Sequence, residues 1–306
     1  MKSRSPGLVL GFALLGISFA GPLVRLSTAD PLAIAVWRLG FSLIVVAGFL
    51  AGSGEWRQWR ALSGRDAAFA AAAGVALALH FWAWNASIHL TTIAASVTLV
   101  NLQPAVIVAI SAVFLRESPT RNQLIGIVVA IVGAIVIALP DLLSSGAGAS
   151  GHATLGNLLA TSAAVTAAVY YTVGRHLRAS YGVWAYVGLA YSACFLTLLV
   201  FAAVSGVPLT PQPPREIGIF IALALGPMLL GHTGMNWALK FLPAYVVNLT
   251  VLGEPIGATL LGAILPGIHQ IPSAITLVGG AIVLAGVWIA VRGTVVRART
   301  APSRRL

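Results

Sequence analysis

Four ionisable side chains stand inside long apolar runs of a chain in which such groups are rare. They are Arg38, His80, His232 and Glu254, in a sequence of 306 residues of which 8% are charged and 58% are hydrophobic. If these runs cross a membrane, each charge near its centre costs roughly 2.5 to 3.5 kcal/mol, so it is a candidate for a functional role. We therefore expect the chemistry of the protein to depend on these few groups.

Two interpretations remain open for Arg38 and for Glu254. The Arg38 guanidinium could hold a carboxylate through two parallel hydrogen bonds, or it could extend to the membrane surface or bind carbonyl groups at a helix end. Glu254 precedes Pro255, and its carboxylate could bind a proton or a cation. Alternatively it stabilises a break in the helix or serves as the counter-ion of Arg38. The similar pair Gln103-Pro104, which has no titratable group, favours a structural role for Glu254.

Polar and aromatic residues recur at helical spacing in two of the runs. HFWAWNASIH places His80 and Trp84 on one helical face, and HTGMNW does the same for His232 and Asn236. Two such stripes facing each other would line a cavity with flat apolar walls and a few hydrogen-bonding groups. The alternatives are that the tryptophans face lipid and that each histidine bonds a neighbouring helix. The remaining candidates for this lining are Trp82, Asn85, Thr98, Asn101, Tyr170, Tyr171, Trp237 and Asn248.

The composition excludes a water-soluble protein of this length. A soluble domain has about a quarter of its residues charged, whereas this chain has a mean hydropathy of +0.95. Because a helix needs roughly 20 apolar residues to cross the hydrocarbon core, we searched for runs of that length. Ten were found, and they predict an all-α membrane protein. Their limits are 8–27, 32–51, 67–88, 93–115, 123–139, 153–174, 183–204, 217–239, 244–265 and 272–291.

The basic residues predict how the ten spans are oriented. With the N-terminus in the cytoplasm, 15 of the 18 Lys and Arg residues fall on the cytoplasmic side. This distribution follows the positive-inside rule and predicts that both termini are cytoplasmic. The formal charge of +11 is thereby explained by topology, so no nucleic-acid partner is predicted. The absence of metal-ligand spacing such as HExxH likewise predicts no metal and no cofactor.

The two halves of the chain resemble each other. His80, Ala86 and Leu90 match His232, Ala238 and Leu242 at an offset of 152 residues, and Gln103-Pro104 matches Glu254-Pro255 one residue out of step. Five spans lie on either side of the polar stretch 140–153, and an odd number inverts the second half relative to the first. The sequence thus predicts two inverted five-helix repeats around a central cavity, residues 1–145 and 146–306.

At the level of whole segments, the chain resembles the EamA-type carriers of the drug/metabolite transporter superfamily. The segments that carry the resemblance are SVTLVNLQPAVIVAISAVFLRESPTRNQLIGIVVAIVGAIVI and ALKFLPAYVVNLTVLGEPIGATLLGAIL. It implies ten helices in two repeats, a central substrate cavity, alternating access and, in many members, export of amino acids or other metabolites. Glu117 matches the acidic position of the family, but the corresponding stretch of the second half, LPGIHQIP, has no acidic residue.

These observations predict a secondary transporter that exports small metabolites, most readily amino acids with aromatic or bulky side chains, across a prokaryotic cytoplasmic membrane. The chain has no Walker-type nucleotide-binding loop, so a gradient would drive transport. Its partners would be a small-molecule substrate and the lipid bilayer, and a monomer is compatible with the sequence. One alternative is an exporter of hydrophobic cations or drug-like amines held by aromatic faces and Glu254. Another is a membrane-embedded enzyme, which would need a nucleophile with a base or paired carboxylates at membrane depth.

Overall fold

Helices form all the regular structure in the part of the chain that the computed structural model describes, residues 6–114, 120–143, 150–242 and 244–300. In the first half they are α1 (Pro6–Ser18), α2 (Ala20–Leu26), α3 (Pro31–Ser53), α4 (Gly64–Leu90), α5 (Ile93–Val100), α6 (Gln103–Phe114) and α7 (Arg121–Leu143). In the second half they are α8 (Ser150–Arg178), α9 (Val183–Ser205), α10 (Pro214–Leu223), α11 (Gly234–Ala238), α12 (Ala244–Thr250), α13 (Glu254–Ile264) and α14 (Ala274–Thr300). A 3-10 helix (Glu55–Ala61), a π-helical segment (Ala224–Thr233) and a short 3-10 turn (Val251–Gly253) complete the order.

Seven helical stretches in these described ranges are long and apolar enough to cross a membrane. They are Pro6–Leu26, Pro31–Ser53, Gly64–Leu90, Ile93–Ile110, His152–Arg178, Val183–Ser205 and Pro214–Ala238. Three further apolar stretches are shorter, Leu124–Ile137, Val251–Ile264 and Ala274–Ile289. The ten stretches coincide with the ten predicted spans. The protein is therefore a multi-pass membrane protein. That the three shorter stretches also cross the membrane remains a prediction.

Polar residues at the helix ends explain where several helices begin. The Asp30 carboxylate accepts a hydrogen bond from the amide of Leu32 at 2.8 Å, with Pro31 in the first turn of α3. Ser63 caps α4 and Thr92 caps α5 in the same way. Such caps satisfy amides that have no partner inside the helix. Gly54 ends α3 in the left-handed conformation with φ 71°, which glycine adopts without steric cost.

Two of the predicted spans are broken in the middle at corresponding places. α5 and α6 are separated by a turn at Asn101 and Leu102, and α12 and α13 by the 3-10 turn. Gln103 begins α6 and Glu254 begins α13, each followed by a proline. Proline lacks an amide hydrogen, which the first turn of a helix does not need. The breaks thus place two helix N-termini inside the protein.

Helices of the two halves pack directly on one another. α4 packs against α8 and α9, α3 packs against α9, α1 packs against the π-helical segment, and α7 packs along α14. In the last pair the backbones approach closely because glycines face the partner helix. A Cβ atom on Gly133 would lie 2.6 Å from the backbone nitrogen of Val283. This contact of small residues is typical of helix packing in membranes.

Candidate functional site

A small cavity lies among the broken helices and is lined by both halves of the chain. The side chains on which its chemistry depends are Arg38, His80, Trp84, Gln103, Tyr171 and Glu254. Its volume of about 20 Å³ holds about one water molecule. Sites for small metabolites span roughly 300 to 1,000 Å³, so the described conformation is closed around this site. The helices must separate before a metabolite could enter it.

Arg38 is the most unusual residue of the cavity. Its exposed fraction is 0%, and within the described part of the chain Nε and both terminal nitrogens have no hydrogen-bond partner. The guanidinium carbon lies 4.2 Å from the ring centroid of Phe81, in a cation–π contact. A buried cation without a hydrogen-bonded anion costs several kcal/mol. In the described part of the chain, all five N–H donors of Arg38 therefore remain available, and a carboxylate could accept two of them in parallel.

Glu254 places a carboxylate in the same cavity, and its exposed fraction is 3%. Its Oε2 accepts a hydrogen bond from Nδ2 of Asn101 at 3.3 Å. A second amide contact runs in the same direction between the halves, with Gln103 donating from Nε2 to Oδ1 of Asn248 at 2.7 Å. Among the described residues, no ion pair joins Glu254 to Arg38. The cavity thus holds one guanidinium and one carboxyl group that are not paired with each other in the described part of the chain.

The two histidines meet at the cavity, with ring centroids 6.1 Å apart. Nδ1 of His80 lies 3.0 Å from the carbonyl oxygen of Ala163. Because a carbonyl only accepts, Nδ1 must donate, and Nε2 is the acceptor in the neutral ring. Nδ1 of His232 lies 3.1 Å from the hydroxyl of Tyr171. The repeat between the halves therefore corresponds to a contact in space.

Aromatic rings form the walls beside these polar groups. The Trp84 ring stacks on His80 with an interplanar angle of 4° and a centroid separation of 6.4 Å. Of the two candidate tyrosines, Tyr171 lines the cavity. Tyr170 lies outside the lining, where its hydroxyl accepts a hydrogen bond from Nδ2 of Asn236 at 2.5 Å. The site offers flat apolar surface next to its charged groups.

Several predicted residues lie away from the cavity. Trp82 is 39% exposed on the outer surface, and Trp237 packs against Phe241 with centroids 4.7 Å apart. Asn85 donates to the carbonyl of Pro31, and Thr98 packs beside Gly280. Three predicted asparagines do not line the cavity, but each forms a hydrogen bond with a lining residue: Asn101 with Glu254, Asn236 with His232 and Asn248 with Gln103. The structure corrects the placement of Trp82 in particular, because it faces outward from α4.

Six lining residues were absent from the predicted site: Ile17, Ala20, Phe81, Val100, Gln103 and Val251. Phe81 supports the Arg38 guanidinium, and no sequence signal distinguishes it from other phenylalanines in apolar helices. Gln103 could have been found, because it occupies the position equivalent to Glu254 in the repeat. Glu117, matched to the acidic position of the resembling family, lies outside the described residues.

Carboxylates also close the bundle at both of its ends. At one end, Glu216 accepts hydrogen bonds from the Ser27 hydroxyl at 2.5 Å and from the amide and hydroxyl of Thr28, both at 3.1 Å. At the other end, Glu55 accepts from the amides of Trp184 and Ala185 at 2.8 and 3.0 Å. We name these contacts the Glu216 latch and the Glu55 latch. Each joins the N-terminal region of a second-half helix to a first-half connection, which is the loop at Ser27 and Thr28 for Glu216 and the start of the 3-10 helix for Glu55.

Together, the fold and the site define a multi-pass helical membrane protein with a closed, charged cavity between its halves. The model of the EamA-like transporter family matches residues 6–139 and 154–292. The chain therefore belongs to the EamA-like transporter family. This family assignment points to a transporter and not to an enzyme.

Relatives and a solved structure agree with this assignment. The chain is 25% identical to an uncharacterized transporter of Archaeoglobus fulgidus over 93% of this chain and 97% of that protein. It is 30% identical to a probable terminal-alkyne amino-acid exporter of Streptantibioticus cattleyicolor over 68% of this chain and 67% of that protein. A protein of known crystal structure superposes with a TM-score of 0.64 over 99% of both chains at 18% identity. That last likeness shows a shared fold.

Proposed function

We propose that this protein is a secondary transporter that exports amino acids across a prokaryotic cytoplasmic membrane. The observation that carries the proposal is Arg38, a fully buried guanidinium in the cavity whose nitrogens have no partner among the described residues. A substrate carboxylate would supply the missing bonds through the two parallel contacts that arginine favours. The Streptantibioticus cattleyicolor relative, named as an amino-acid exporter, supports this substrate class.

The proposal includes alternating access between two inverted five-helix repeats, residues 1–145 and 146–306. Two separate matches to one family model and the paired breaks at Gln103 and Glu254 support the repeat. The closed cavity and the latches at both ends support a conformational cycle, since a substrate must be released on one side at a time. The basic residues support ten spans with both termini in the cytoplasm.

The walls of the cavity favour amino acids with aromatic or bulky apolar side chains. Phe81, Trp84 and Tyr171 present rings to the same space as Arg38. Stacked aromatic contacts are worth about 0.5 to 1.5 kcal/mol beyond the burial of their area. A substrate with an aromatic side chain would gain this contribution, a branched apolar one would gain only the burial of its surface against the rings, and a small polar one would gain neither.

A second candidate function is export of hydrophobic cations or drug-like amines. It is favoured by Glu254, a buried carboxylate beside the same aromatic rings and without an ion-pair partner in the described part of the chain. Such a carrier would depend on Glu254 and would not need the Arg38 guanidinium to bind its cargo.

Counterflow in proteoliposomes tests the proposed function. Vesicles loaded with unlabelled phenylalanine should take up labelled phenylalanine faster than vesicles without protein. Arg38→Gln should lower this exchange at least about a hundredfold, because removing a charge partner costs about 3 kcal/mol or more. Arg60→Gln, at an exposed arginine outside the cavity, is the matched control and should exchange normally.

Two results would count against the proposal. If no member of a panel of amino acids exchanges faster than in empty vesicles, the protein is not an amino-acid carrier of this kind. If phenethylamine exchanges while phenylalanine does not, and Arg38→Gln has no effect, the second candidate replaces the first.

A further inference from the structure

The cavity presents a cation and an anion from different helices, each held in place by its own neighbours. Arg38 extends from α3 and rests on the Phe81 ring. Glu254 lies at the first position of α13 and is held by Asn101. Both side chains line the same space, yet within the described residues no salt bridge connects them. Opposite charges buried together normally pair, so their separation requires an explanation.

We infer that the site binds its substrate as a zwitterion, with Arg38 receiving the α-carboxylate and Glu254 receiving the α-ammonium group. This inference rests on the proposed function and adds a second recognition element to it. The charged groups of an α-amino acid are attached to one carbon atom, so they can contact two opposite charges across a narrow gap. The bound substrate thereby gives each of the two side chains an oppositely charged partner.

The hydrogen bonds around Glu254 support this role. In the described part of the chain its carboxylate receives one hydrogen bond, from Asn101, and so retains acceptor capacity. The equivalent position in the first half is Gln103, whose amide already donates to Asn248. Of the two equivalent positions, Gln103 and Glu254, Glu254 alone carries a carboxyl group. One ammonium group in one orientation satisfies it.

Specificity follows from the cost of leaving either charge without a partner. A monocarboxylate would neutralise Arg38 and leave Glu254 buried and unpaired, whereas a monoamine would do the opposite. A binding site with buried polar groups rejects analogues that lack the matching group far more strongly than an apolar pocket rejects a change of size. We therefore expect the site to select α-amino acids over both kinds of analogue.

Three ligands with the same aromatic ring separate these contributions: phenylalanine, hydrocinnamate, which lacks the amine, and phenethylamine, which lacks the carboxylate. Their dissociation constants can be measured by isothermal titration with the purified full-length protein in detergent. The wild type should bind phenylalanine at least about tenfold more tightly than either analogue, because hydrogen bonds to charged groups contribute about 1.5 to 3 kcal/mol.

Glu254→Gln provides the decisive variant. It should weaken phenylalanine binding at least about tenfold while leaving hydrocinnamate binding unchanged or tighter, because no buried carboxylate is then left unpaired. Retained hydrocinnamate binding also demonstrates that the variant is folded. The matched control is Asp66→Asn, which removes a carboxylate that bonds Tyr181 outside the cavity. It should leave all three constants unchanged.

The outcomes distinguish this inference from the proposed function. If wild-type protein binds none of the amino acids, the proposed function fails. If it binds phenylalanine and hydrocinnamate equally well, or if Glu254→Gln binds phenylalanine as tightly as wild type, the zwitterion site is refuted while amino-acid export stands. The comparison of ligands on wild-type protein requires no variant, so it remains decisive even if Glu254→Gln does not fold.

Discussion

At the scale of single residues, two tryptophans of α4 offer a matched test of which side chains contact substrate. Trp84 lines the cavity and is 3% exposed, whereas Trp82 is 39% exposed on the outer surface. Trp84→Ala should weaken phenylalanine binding by about tenfold, since it removes a stacking surface worth roughly 0.5 to 1.5 kcal/mol together with its buried area. Trp82→Ala should change the dissociation constant by less than about twofold. Equal effects of the two substitutions on binding would contradict the assigned cavity.

The sequence distinguished these residues only in part. Two positions apart on a helix, Trp82 and Trp84 must point in different directions. Trp84 was favoured for the cavity because it shares a helical face with His80, whereas the sequence left open whether Trp82 faces lipid, because most of the run around it is apolar. His80 and His232 were predictable because the repeat gives each a counterpart. Arg38 was predictable because charge is rare at membrane depth.

At the scale of secondary-structure elements, the contact between α7 and α14 depends on the absence of side-chain atoms. A Cβ on Gly133 would lie 2.6 Å from the backbone nitrogen of Val283, too close without moving a helix. Gly133→Ala should therefore destabilise the protein by about 1 to 3 kcal/mol, the usual cost of overpacking. Thermal unfolding in detergent, followed by circular dichroism, would show a lower midpoint.

Gly48 supplies the control for this substitution. It lies in α3, and among the described residues no atom beyond its chain neighbours and the backbone of its own helix approaches within 4 Å of its ideal Cβ position. Gly48→Ala should leave the unfolding midpoint unchanged or raise it slightly, because alanine favours the helix by up to about 1 kcal/mol. A midpoint that falls equally in both variants would show that helix contact is not the cause.

The elements themselves were more predictable than their irregularities. Ten apolar runs predicted where helical stretches lie. A break was expected only as one of the interpretations of Glu254, and the break at Gln103 was not predicted. The π-helical segment from Ala224 to Thr233 was not predicted. Pro227 lies within it, but a proline indicates a disturbed hydrogen-bond ladder without specifying which irregular helix replaces the regular one.

At the scale of the whole molecule, each end of the helical bundle carries one latch between the two halves. The Glu216 latch lies on the predicted external side and the Glu55 latch on the predicted cytoplasmic side. Each carboxylate accepts several hydrogen bonds across the interface between the halves. If transport proceeds by alternating access, the two latches must open in turn. Weakening one of them should shift the population toward the state that is open on that side.

A buried cavity residue can report which state is populated. Ala20 lines the cavity and is 1% exposed. Because Cys194 is the one cysteine of the chain, Ala20→Cys in a Cys194→Ser background gives a single reactive thiol. In right-side-out vesicles, Glu216→Ala should raise its rate of labelling by a membrane-impermeant maleimide about tenfold, which corresponds to a shift of 1.4 kcal/mol. This shift is less than the bonds removed can contribute.

The opposite latch should give the opposite sidedness. Glu55→Ala should accelerate labelling in inside-out vesicles and should slow it, or leave it unchanged, in right-side-out ones. Asp30→Ala is the control, because its carboxylate caps its own helix and, among the residues that the structure describes, has no hydrogen bond to the second half. If both latch variants accelerate labelling from the same side, the two latches are not gates on opposite sides of the membrane. Each carboxylate would then not control access from its own side. A rate that neither variant changes would show that other contacts hold the bundle closed.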